Sequence, residues 1–146
     1  MTMKFGLVTV AAALVAATFA LAQGDVILQR QALMKALGPS LRAVFQMLNG
    51  EIEFDAAAAE QAMLKVADHG AVLPTLFPKG SHVGTNASEL IWEEFDEFVA
   101  IYADLEAAGR AGAAAAAADD VEGVRTAFAA VGNACGTCHE RYRLNR

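Results

Sequence analysis

From Ile27 to Tyr142, apolar side chains return at steps of three and four residues. That period lines up along one face of an α-helix and along no face of a strand. The pattern is clearest near the C-terminus, where Val121, Val124, Phe128, Val131, Cys135, Cys138 and Tyr142 form a single seam. A second stripe runs Ile91, Phe95, Phe98, Tyr102, Leu105, Gly109 and Gly112, and another runs Ile27, Arg30, Met34, Leu37, Leu41, Val44 and Leu48. A shorter one holds Ala59, Met63, Val66 and Gly70, flanked by Ala62 and Ala67. Alanine, the strongest helix former, supplies 33 of the 146 residues. An all-β fold is thereby excluded. Four one-sided helices joined mostly by short turns predict an all-α, antiparallel, up-down-up-down four-helix bundle.

The helix ends have local causes. Asn49-Gly50 is suited to a left-handed cap on the first helix. Asp55 is placed to cap the second, and Ser88 the third. Pro74, Pro78, Gly80 and Gly84 predict a long loop from about Val72 to Ala87. Asp119-Asp120 predicts the turn into the fourth helix, with Asp119 and Glu122 at capping-box spacing. Pro39 falls inside the first stripe, which continues on both sides of it, so a kinked single helix is expected. Gly109 and Gly112 are either weak spots or places where something bulky meets the backbone.

Residues 1–22 read as a secretory signal peptide. Lys4 is followed by an apolar run from Phe5 to Phe19, and Ala20-Leu21-Ala22 offers a small-x-small cleavage site before Gln23. A retained membrane anchor is the alternative, since the run approaches spanning length. Cleavage leaves residues 23–146 as one bundle domain and places it in the periplasm. The net charge is −6 with a pI near 4.9. That balance excludes a mainly electrostatic nucleic-acid binder and predicts redox partners with a basic docking face.

Cys135-Gly136-Thr137-Cys138-His139 carries the chemistry. C-x-x-C-H is the attachment pattern of c-type haem. Thiols at i and i+3 share a helix face and can form thioethers to the two vinyl groups. His139 can then turn its imidazole to the iron as proximal ligand. A dithiol redox centre is the first alternative, but such pairs sit at helix N-termini, and this one lies near a helix end. A zinc site needs further ligands, and a disulfide between i and i+3 of a helix has poor geometry.

The chain resembles the class II c-type cytochromes, the cytochrome c′ family. The resemblance covers the whole mature chain. It rests on Arg30-Gln31-Ala32-Leu33-Met34-Lys35, on Leu73-Pro74-x-x-Phe77, on Ile91-Trp92, and on Cys135-x-x-Cys138-His139 followed by Tyr142-Arg143. It implies a bundle with one haem c bound covalently through Cys135 and Cys138. It implies that Arg30 binds a haem propionate, that Arg143 lines the proximal side, and that a homodimer through the first helix is possible. The family has two kinds of member. One is five-coordinate and high-spin, and admits NO or CO. The other is low-spin, takes a first-helix Met as sixth ligand, and resembles a simple electron carrier.

Met34 is the candidate sixth ligand. In an antiparallel bundle the start of the first helix lies level with the end of the last. Met34 is about eight residues in, roughly 12 Å along the axis, facing the end that carries His139. Met47 lies roughly 20 Å further along and is out of reach. Met63, His82 and His69 read as core filler, a surface loop residue and a helix-end residue. The resulting expectation is a periplasmic electron-transfer cytochrome and not an enzyme, because no distal His or carboxylate sits on the first-helix stripe. A small gas ligand at the vacant position is the alternative.

Overall fold

The computed structural model describes residues 5–145, with side chains from 24 to 145. The expected cleavage point before Gln23 lies outside the described side chains. Four long helices form the body: α1 (Phe5–Leu48), α2 (Ala56–Val72), α4 (Phe95–Ala117) and α5 (Val121–Tyr142), with a one-turn α3 (Leu90–Glu93) before α4. α1 passes through Pro39 without ending, so this segment is one helix. It closes in a left-handed cap. Gly50 has φ +73°, and the N–H groups of Gly50 and Glu51 donate to the carbonyls of Met47 (3.1 Å) and Gln46 (2.9 Å). Asp55 caps α2 by accepting from the Ala58 N–H at 3.0 Å. The six α2 residues expected inside are all buried.

Three sequence expectations are corrected. The segment after α2 is not loop throughout, because Leu73–Leu76 forms a 3₁₀ turn with Pro74 in its first positions and with Leu73 and Leu76 buried. The third helix is divided at Glu94, whose backbone leaves the helical region (φ −123°, ψ 42°). The Glu94 carboxylate accepts from the Tyr142 hydroxyl at 3.1 Å and pairs with Arg141 at 2.7 Å, which ties the break to α5. Phe95, the first residue after the break, is 39% exposed and keeps its ring 6.1 Å from that of Phe98. At the α4–α5 turn the cap is Asp120, which accepts from the Gly123 N–H at 2.9 Å. Asp119 occupies the left-handed turn position instead (φ 56°).

α2 packs along α4, α4 along α5, and α1 along α2. Gly109 explains the close approach of α2 and α4. A Cβ there would stand 2.6 Å from the Ala67 nitrogen and 2.9 Å from the Met63 carbonyl. At Gly112 it would run into the Met63 side chain. These glycines therefore admit a neighbouring helix. One cluster of buried side chains, including Val44, Met47, Leu48, Ala59 and Val124, fills the turn end of the bundle. A second, around Phe98, Tyr102, Ile91 and Leu73, fills the other end, where a cavity opens between α1 and α5.

Candidate functional site

The cavity measures about 540 Å³, within the range of roughly 300–1,000 Å³ usual for a small-molecule or cofactor site. α1 contributes Met34 and α5 contributes Cys138 and His139, so the two residues expected to face each other do line one space. Ile91, Phe98 and Phe77 supply apolar walls. Phe98 makes edge-on contacts with Phe77 (4.8 Å between centroids), Tyr102 (5.0 Å) and Tyr142 (5.3 Å), which fixes those walls.

Both cysteines are free and half-buried on α5. Burial raises the pKa of each thiol, that of Cys138 up to about 11. A redox dithiol needs an accessible thiolate, and these groups stay protonated at neutral pH, which weighs against that alternative. Among the described residues, no cluster of three or more His, Cys, Asp or Glu forms a metal cage, which weighs against zinc. The pKa of His139 is lowered, first by burial and then by the charge of Arg143, so its imidazole is held neutral. Neutral imidazole is the metal-binding form.

The other sulfur and imidazole candidates are elsewhere. Met63 is fully buried against Gly112, and Met47 belongs to the cluster at the turn end. His82 pairs with Glu89 at 2.8 Å and rests 5.4 Å from the Trp92 ring. His69, near the end of α2, does not line the cavity.

Arg30 reaches the cavity but is held by the loop. Its guanidinium donates to the Leu76 carbonyl (3.3 Å), the Ser81 hydroxyl (2.8 Å), the Ser81 carbonyl (2.5 Å) and the Thr85 hydroxyl (3.2 Å), and lies 4.5 Å from the centre of the Phe77 ring. Four of its five N–H bonds are thus engaged by the chain itself. The residue implied to be a propionate binder is also the clamp that shapes the cavity rim. Ser81 and Thr85 carry no spacing or composition that marks them in the sequence. Nor does the antiparallel bridge between Ala87 and Arg143, in which Ser88 donates to the Tyr142 carbonyl at 2.9 Å and Leu144 to the Asn86 carbonyl at 2.8 Å.

The charged groups lining the cavity are Arg30, Lys35 and Arg143, beside the neutral His139, and no carboxylate lines it among the described residues. The residues present fit a haem. An apolar macrocycle matches the aromatic walls, the thiols and imidazole stand along one helix, and cations at the mouth suit two propionates.

The comparisons agree with this geometry. A family model described as Cytochrome C′ matches residues 25–143. A cytochrome c-556 of Agrobacterium fabrum is 39% identical over 118 residues, 81% of this chain and 80% of that protein. A cytochrome c′ of Rhodopseudomonas palustris is 35% identical over 147 residues, 99% of each chain. A solved structure of cytochrome c′ from Rhodopseudomonas palustris superposes with a TM-score of 0.76 at 33% identity, over 84% of this chain and 98% of that one.

Proposed function

The chain belongs to the cytochrome c′ family, and from that premise we propose that it is a periplasmic electron carrier in which His139 and Met34 would bind the haem iron. The family's cofactor is one covalently bound haem c. When bound, it supplies a one-electron ferric/ferrous couple. Cys135 and Cys138 would hold it through thioethers, and His139 would present the neutral imidazole that metal binding requires. Arg30 fixes the loop over the mouth and keeps its remaining N–H for a propionate. Arg143 stands beside His139, where its charge disfavours a proton on the imidazole.

One observation carries the reading: Met34 of α1 and His139 of α5 line the same cavity from facing helices. A thioether that stays bound in both oxidation states needs little reorganisation, which suits a carrier. The described lining holds no carboxylate, and its one histidine is assigned to the iron. That leaves no distal acid or base for turnover, so the proposal is a non-enzymatic one. Export follows from the reading of residues 1–22 as a cleaved leader.

Optical spectra of the ferric and ferrous holoprotein, with and without CO, test the ligand set. The expected wild type is low-spin and indifferent to CO, and Met34→Ala becomes high-spin and binds CO. A wild type that is high-spin and takes CO directly removes Met34 from the iron and makes gas binding the function.

A further inference from the structure

One buried hydroxyl in the cavity wall has no part in the site as described so far. Tyr102 of α4 is 3% exposed and lines the cavity. Its ring stands edge-on to Phe98 at 5.0 Å and lies 6.5 Å from Phe77. Neighbouring donors are spent on oxygen. The Tyr142 hydroxyl donates to Glu94 at 3.1 Å, and the Thr85 hydroxyl to the His82 carbonyl at 2.8 Å. Among the described residues the Tyr102 hydroxyl donates to the Cys138 thiol instead. That bond counters part of the rise that burial imposes on the Cys138 pKa. Burial, and then the neighbouring Cys138 sulfur, push the Tyr102 pKa up, so the hydroxyl keeps its proton. Sulfur is a weak acceptor, and a buried hydroxyl without a strong one costs free energy. Phenylalanine would line the wall without that cost, as Phe77 and Phe98 do. So poorly partnered a donor needs another explanation than stability.

We propose that Tyr102 is a positioning residue for the haem that acts through the Cys138 sulfur and raises the reduction potential. The family's haem c is carried on that sulfur by a thioether. The O–H dipole therefore points, positive end first, at the edge where the cofactor is attached. A positive dipole end favours the state with one more electron, the ferrous one. The wall is apolar and closed to water on this side, so a single dipole is weakly screened. No proton accompanies the electron, because Tyr102 retains its own. The inference rests on attachment at Cys138 and does not depend on whether Met34 binds the iron.

Redox titration of the wild-type holoprotein and of Tyr102→Phe tests it. Phenylalanine keeps the ring and its packing and removes only the oxygen. At the wild-type midpoint the ferric-to-ferrous ratio of the variant is expected to be higher by about threefold or more, a fall of about 30 mV, since tenfold is about 59 mV for one electron. The thioether C–S stretching band in the resonance Raman spectrum is expected to shift with it, at an unchanged spin state. A merely structural hydroxyl lowers the melting temperature of Tyr102→Phe and leaves both readouts in place, which overturns the proposal. A lower potential with an unmoved C–S band overturns it too, because the effect then bypasses the sulfur. Wild type alone supplies a second check that needs no variant. Transfer into D2O is expected to move the same band, and a band insensitive to D2O overturns the hydrogen bond. Extraction of the wild-type haem by acidified acetone would show instead that attachment itself is absent, so that premise fails separately.

Discussion

Arg30 carries its charge inside, 4% exposed, and among the described residues meets carbonyl and hydroxyl oxygens but no carboxylate. Burial lowers its pKa, yet it stays protonated because the ordinary value is so high. Removing it strands several buried acceptors at once. Arg30→Ala is expected to destabilise the holoprotein by about 2–4 kcal/mol in urea unfolding, and Arg30→Lys to recover only part, since one ammonium cannot reach four acceptors spread over the loop. The seam exposed Arg30 in the sequence as the one charge among apolar positions, but its loop partners were invisible there. They lie about 50 residues away and are chosen by packing. At Cys135 and Cys138 the sequence was more complete, because spacing alone sets two thiols on one helix face. With both changed to Ser, acidified acetone is expected to extract the haem from the protein, whereas the wild type keeps it.

Helix stripes were legible because burial follows the 3.6-residue period, and every α2 core residue followed it. Phe95 did not; the helix breaks just before it at Glu94, whose carboxylate meets Arg141 and Tyr142 of another helix. Two helical glycines separate local preference from packing. Gly109→Ala pushes a Cβ into the α2 backbone and is expected to cost about 1–3 kcal/mol or more. Gly132→Ala in α5 meets nothing within 4 Å and is expected to stabilise by about 0.5–1 kcal/mol through a less disordered unfolded chain. Chemical denaturation of the pair checks both signs.

The whole molecule is a bundle whose open end is tied by a few polar contacts between distant segments. The hydrogen bond from Arg141, with that of Tyr142 beside it, holds the Glu94 pKa below the ordinary value of 4.5. A carboxylate with a lowered folded pKa stabilises fully above its unfolded pKa and loses that contribution as pH falls through the lowered value. The melting temperature of wild type is therefore expected to exceed that of Glu94→Gln at pH 7, with the difference closing in acid below the ordinary glutamate range. By itself the sequence determined the helical class, the bundle and the haem-attachment motif, since each depends on spacings along one chain. The tertiary structure alone decided which side chains share the cavity, what holds Arg30, where the third helix breaks and how charge is distributed around the mouth. Those features depend on distances between residues far apart in the chain, and only packing fixes such distances.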